Sequence, residues 1–78
     1  MIVMQLDPGG RVPLYIQLAD ELERRIRAGD LPRGRAIPSE STLQGEYDVS
    51  RGTARKAVVV LRERGLVDTV AQRGTFVL

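Results

Sequence analysis

Cysteine and histidine are both missing from the 78 residues. Without cysteine there is no disulfide and no thiolate. Without histidine the commonest general base and an ordinary metal ligand are gone as well. Serine or lysine chemistry is not forbidden, but the carboxylates are spread along helix faces and no apolar pocket pattern surrounds one of them. No catalytic residue, no metal ligand and no cofactor site is expected. Long apolar runs are also missing: none approaches the roughly 18 residues of a membrane helix. The opening Met1-Ile2-Val3-Met4 is too short for a secretory signal and has no basic residue before it. A cytoplasmic chain without membrane contact is the expectation. A chain of this length makes one domain at most, with a small core.

The formal charge of +2 hides an uneven distribution. From residue 51 onward, Arg51, Arg55, Lys56, Arg62, Arg64 and Arg73 face only Glu63 and Asp68, a balance of +4. Residues 1–50 carry six arginines against eight acids, a balance of −2. A basic C-terminal third suits a polyanion partner, and equally a solvated helix face.

Residues 1–12 read as a loose arm with a short strand at Ile2–Leu6 and a turn at Asp7-Pro8-Gly9-Gly10. Residues 13–78 read as the folded domain. Pro13 suits the first turn of a helix. Tyr15, Leu18, Ala19, Leu22 and Ile26 then recur at helical spacing, with Gln17, Asp20, Glu21, Glu23, Arg24 and Arg27 opposite. Gly29 ends this helix. Leu31 to Pro38 holds two prolines and a glycine, so it is a loop, with a short strand at Ala36–Ile37. Ser39 is an N-cap and Glu40 lies in the first turn of a second helix that runs to about Tyr47 and buries Leu43 and Tyr47. Asp48 stands where a tight inter-helix turn needs a left-handed residue. Val49 points inward and Ser50 caps a third helix with Ala54, Ala57, Val58 and Leu61 inside. The run Val58-Val59-Val60 favours a strand locally, but the helical period around it and the stop at Gly65 outweigh that. Leu66–Val70 and Thr75–Leu78, joined by Ala71-Gln72-Arg73-Gly74, form a β-hairpin that must pack on the helices. The expected class is mainly α with a small antiparallel hairpin: a winged helix-turn-helix of three helices plus wing.

In a helix-turn-helix the second helix presents its N-terminal residues to base edges in the major groove. Here those are Ser50, Arg51, Gly52, Thr53 and Arg55. Arg51 and Arg55 lie four apart and share a face. An arginine fork matches guanine O6 and N7 together. Ser50 and Thr53 offer hydroxyls, and Gly52 lets backbone come close. Arg73 and Gln72 sit at the hairpin tip, which suits a minor groove. The plain alternatives are a capping serine, solvated arginines and an ordinary turn.

Pro13-Leu14-Tyr15-Ile16-Gln17-Leu18, Ile26-Arg27-Ala28-Gly29, Pro38-Ser39-Glu40, Val49-Ser50-Arg51-Gly52-Thr53-Ala54-Arg55, Gly65-Leu66-Val67 and Arg73-Gly74-Thr75-Phe76-Val77 together resemble the DNA-binding domain of the GntR family of bacterial transcription regulators. The resemblance runs from Pro13 to Val77. It implies a winged helix bound as a homodimer to double-stranded DNA at a short inverted repeat, and usually repression. It also implies contacts from the start of the second helix, the start of the third and the wing tip. Onto this sequence that carries Ser50, Arg51, Thr53, Arg55 and Gly74, with Ser41, Lys56 and Gln72 completing the candidate set. Departures are Ser41 for a frequent arginine, Gly52 for threonine, Asp48 for a turn glycine, Thr69 and Val70 for basic residues, and Gln72 for a wing-tip glycine. They bear on sequence preference and affinity rather than fold. The chain stops where the wing stops, without the effector domain usual in the family, which fits either a fragment or a natural single-domain member. The competing function is a winged helix that docks protein without specific DNA binding. It would need apolar anchors on the third helix, where only Val59 is available.

Overall fold

The computed structural model describes residues 6–78. The strand expected at Ile2–Leu6 falls mostly outside them; Leu6 itself is buried in the core and is not in a strand. From Asp7 the arm is tied down rather than loose. The Gln17 side chain accepts from the Asp7 amide at 2.7 Å and donates to the carbonyls of Asp7 and Val12 at 2.8 and 2.7 Å.

Three helices and a hairpin follow: α1 Leu14–Arg27, α2 Glu40–Tyr47, α3 Arg51–Glu63, β1 Val67–Val70 and β2 Gly74–Val77. Pro13 is the N-cap of α1, one place before the first helical turn, with ψ at 146°. Its carbonyl accepts from the Ile16 and Gln17 amides, both at 3.0 Å. α1 and α3 end alike. Gly29 and Gly65 take φ of 86° and 76°. The next amides, of Asp30 and Leu66, reach back to the carbonyls of Arg25 and Leu61 at 2.9 and 3.0 Å. Such a Schellman ending needs a left-handed residue, hence glycine.

α2 and α3 begin alike. Ser39 Oγ accepts from the Thr42 amide and Ser50 Oγ from the Thr53 amide, each at 3.1 Å. Asp48 lies between the two helices at φ 55°, ψ 53°, the left-handed conformation expected for it. The Val58–Val60 run is helical, as the surrounding period requires. Leu18, Leu22, Leu43, Ala54, Ala57 and Leu61 are wholly buried and form one core with Tyr47, Val49, Leu31, Ile37, Val67 and Val77. Tyr15, Ile26 and Val58 are only half-buried.

The hairpin is antiparallel, with Val67 opposite Val77 and Val70 opposite Gly74. β1 starts one residue later than expected and ends where expected, and β2 is shifted one residue toward the N-terminus. Leu66 and Leu78 stay outside the strands, Gly74 joins β2, and the tip shrinks to Ala71-Gln72-Arg73. The Arg73 amide donates to the Val70 carbonyl at 3.0 Å, with Gln72 at φ 64°. That makes a type II turn with glutamine in the position glycine favours. The strand expected at Ala36–Ile37 is a single bridge, Ala36 to Phe76. Hydrogen bonds of 2.9 Å from Gly34 to Val77, Val77 to Arg35 and Ile37 to Thr75 extend it along β2. β2 is therefore flanked on both sides and the wing does not hang free.

Glu21, assigned above to the outer face of α1, is buried at 4% exposure. The reason is Arg24, whose guanidinium grips both carboxylate oxygens at 2.7 and 3.0 Å. That charge-assisted hydrogen bond holds the Glu21 carboxyl below its ordinary value of 4.5, against the opposing effect of burial. A lowered carboxyl stabilises the fold above about pH 4.5, and that contribution is lost as pH falls through the folded value. Thermal melts from neutral pH down to pH of about 3 should therefore show a smaller acid loss for Glu21→Gln than for the wild type. Parallel acid profiles would contradict the pairing.

Candidate nucleic-acid interface

The rotation of α3 about its own axis is set by what it buries. With Ala54, Ala57 and Leu61 inside, Arg51 and Arg55 must face outward, and their side chains are 70% and 64% exposed. Arg51, Gly52 and Thr53 form the first helical turn and Arg55 opens the second. The structure thus brings together Ser50, Arg51, Gly52, Thr53 and Arg55 at one exposed helix start. Ser50 is a cap first: it accepts from the Thr53 amide and donates to Thr53 Oγ1 at 3.0 Å. The Thr53 hydroxyl proton is left to donate elsewhere. Ser39 and Thr42 repeat this arrangement at the start of α2, with Oγ to Oγ1 again at 3.0 Å. Thr42 is thereby a candidate that the sequence reading missed. The signal for it was present in the repeated Ser-x-x-Thr at 39–42 and 50–53.

Lys56 lies off that face. Its Nζ stands 5.6 Å from the ring centre of Tyr15, a cation–π contact linking α3 to the start of α1. Ser41 is exposed on the first turn of α2. Gln72, Arg73 and Gly74 are exposed at the wing tip, with Gly74 at φ 123°. A cleft of about 320 Å³ joins these parts: Ser39 and Glu40 from α2, Val58 from α3, and Arg73, Gly74 and Thr75 from the wing line it.

The fold redistributes the charge that the sequence concentrates after residue 50. Arg64 turns back onto α1, 2.9 Å from Asp20 and 2.8 Å from Glu23, and these contacts, that with Asp20 first, raise its pKa against the opposing effect of burial. Arg62 donates to Thr69 Oγ1 at 2.7 Å and ties α3 to the wing, while Thr69 and Thr75 hydroxyls meet at 3.1 Å. Both arginines therefore serve the fold. Arg51 and Arg55 share a single acid, Glu40, at 3.6 and 3.3 Å. Arg73 has no ion pair or hydrogen bond from its side chain among the described residues. Val59, the apolar side chain expected on the outer side of α3, is half-buried. Among the described residues no group of three or more acids could hold a metal ion, and no described helix is long and apolar enough to cross a membrane.

The sequence profile of "Bacterial regulatory proteins, gntR family" matches residues 14–77. The mannosyl-D-glycerate transport/metabolism system repressor MngR of Escherichia coli K12 is 43% identical over 68 residues, 87% of this chain and 28% of that protein. The chain therefore spans less than a third of the length of this relative. Among solved structures, AraR(DBD) in complex with operator ORX1 superposes with a TM-score of 0.91 at 33% identity, covering 100% of this chain and 99% of that one. YtrA from Sulfolobus acidocaldarius, described as a GntR-family transcription factor, gives 0.84 at 30% identity, covering 99% and 80%.

Gly52 has room for a side chain. A Cβ built there would meet only Ser50 Oγ, at 3.9 Å, an ordinary contact. A helical glycine costs about 0.5–1 kcal/mol relative to alanine through lost chain entropy. Gly52→Ala should therefore raise the unfolding free energy by about that amount in urea titration. An unchanged or lower midpoint would show that the helix start is more confined than this geometry says.

Proposed function

The chain belongs to the gntR family of bacterial regulatory proteins, and we propose that it reads double-stranded DNA by sequence as the DNA-binding domain of a transcription regulator, acts as a repressor, and carries no catalysis of its own. The observation that carries this is the exposed Arg51/Arg55 pair at the start of a helix whose opposite face is locked into the core. Support comes from relatives: one is named a repressor, and a close structural neighbour was crystallised with its operator.

In this reading α3 enters the major groove N-terminus first. Arg51 and Arg55 each offer two parallel N–H groups to guanine O6 and N7. Gly52 keeps the helix start slim, and Thr53 donates its remaining hydroxyl proton to a phosphate or base. Ser50 contributes by holding Thr53 in place. Ser41 and Thr42, exposed on the first turn of α2, and Gly74, at the cleft between α2 and the wing, approach the sugar–phosphate backbone. Lys56 approaches the same backbone from its position over Tyr15. Arg73, with Gln72 beside it, lies at the minor groove. Two copies on one duplex impose two-fold symmetry, so the site is a short inverted repeat read by a homodimer at the nucleoid in the cytoplasm.

Selection of bound duplexes from a random pool, followed by sequencing, should return an inverted repeat with fixed guanines in each half. On that operator, Arg51→Ala and Arg55→Ala should each weaken binding by about 1–3 kcal/mol and relax base choice at one defined position per half-site. Retention of wild-type affinity by both variants would refute the groove assignment.

The minor groove shows nearly the same acceptors for A·T and T·A, so a lone arginine there senses width and charge more than letters. Arg73→Ala should weaken operator and scrambled duplex by a similar factor. If Arg73 neutralises a phosphate there, the slope of log K against log salt should fall by about one unit per bound copy. A loss confined to the operator would mean that the wing reads sequence.

A further inference from the structure

Glu40 is the one acid placed against the arginine pair among the described residues. Its Oε1 lies 3.6 Å from Arg51 Nε, its Oε2 3.3 Å from Arg55 Nε, and its Oε1 accepts a long contact of 3.5 Å from an Arg55 Nη. The fold has little use for these contacts. Arg51 and Arg55 are exposed and Glu40 is half-buried at 33%, and ion pairs of such length at the surface contribute little to stability. α2 has its cap in Ser39, and Glu40 serves that helix as the acid of its first turn, which needs no contact with either arginine. A carboxylate at the centre of a face meant for a polyanion also works against binding, because it repels phosphate and lowers the local charge of the pair from +2 to +1.

That cost is useful if the goal is discrimination rather than affinity. Binding to arbitrary DNA comes almost wholly from cation–phosphate attraction. Specificity is the difference between cognate and non-cognate binding, and it can be raised by weakening the second. We propose that Glu40 is a specificity-determining counter-ion: it holds Arg51 and Arg55 back from phosphates on non-cognate DNA and yields them to base edges that match their paired N–H groups. The geometry fits this role. At 3.3–3.6 Å the contacts to Glu40 are looser than a charge-assisted bond at its best length. A guanine edge that accepts both N–H groups of one arginine at full strength can compete with Glu40. The inference rests on the DNA-reading function proposed above and concerns how that same face rejects the wrong sequence.

Glu46 supplies an internal control. It lies on the same helix, but its partner is Arg25, at 3.9 Å, away from the arginine pair. Glu40→Gln and Glu46→Gln remove the same charge from α2. Binding of the whole chain to the selected operator and to a scrambled duplex of equal length would be measured over a range of salt. Glu40→Gln should tighten binding to the scrambled duplex about three- to tenfold near 0.1 M salt and steepen its salt slope by about one unit. Operator binding should gain less, so the ratio between the two narrows. Glu46→Gln should change both duplexes by one common and smaller factor. The proposal is overturned if Glu40→Gln leaves scrambled binding unchanged or weaker, if it tightens both duplexes equally, or if Glu46→Gln behaves the same way. A wild type that binds neither duplex would remove the DNA-reading function together with this role. A wild type that discriminates, with an unchanged ratio in Glu40→Gln, would remove only the role of Glu40.

Discussion

The burial of one face of α3 governs the rest of the molecule. Ala54, Ala57 and Leu61 are wholly enclosed, and a helix that buries a stripe of this kind cannot rotate without exposing it. The two alanines keep that stripe low, which suits a helix seated between α1, α2 and β1 in a chain with so small a core. Because the inner stripe is fixed, the direction of Arg51 and Arg55 is fixed too. The outer side chains then need no dedicated scaffold of hydrogen bonds and remain available to a ligand.

Two short devices keep this seating true at its ends. Asp48 in the left-handed region turns the chain sharply between α2 and α3, and Ser50 then satisfies the Thr53 amide at the start of α3. At the other end Gly65 closes α3 and passes the chain straight to β1. The wing is held by more than its own hairpin. β2 bonds to β1 on one side and to the stretch from Gly34 to Ile37 on the other, while Arg62 reaches Thr69 from α3. A two-stranded ribbon is marginal alone in water. Here the added bonds and the buried Val67 and Val77 give the tip a fixed base.

The same chain spends its charges in two different ways. Those of Arg24, Arg27 and Arg64 go to acids of α1 and hold down the surface of that helix. Those of Arg51, Arg55 and Arg73 remain on the side formed by the start of α3 and the wing. Counting basic residues along the chain treats both groups alike and overstates the positive field behind α3, where Arg64 is neutralised. A polyanion meeting this surface would find Arg51 and Arg55 at the start of α3 and Arg73 at the wing tip rather than a charge spread over the C-terminal third.

Much of this was written in local sequence. The three helices, both glycine stops, both serine caps, the left-handed Asp48 and the hairpin each depend on residues within a few positions of one another, so periodicity and capping chemistry sufficed to place them. Strand ends slipped by one residue because edge pairing is decided by the partner strand, not by propensity. Glu21 was misassigned for a similar reason: it occupies a polar position by type, and only its two-point grip on Arg24 lets the fold bury it. The exposure of Arg51 and Arg55 was legible from the helical spacing of Ala54, Ala57 and Leu61 on the opposite face. Their shared partner was not. Glu40 is 11 and 15 positions away, and it meets them only because the Asp48 turn folds α2 across the start of α3. Sequence by itself determined which elements form and which face of each is apolar, because those follow from neighbours along the chain. Tertiary structure alone decided which arginines are neutralised and which stay open, because Coulomb partners are chosen by distance in space.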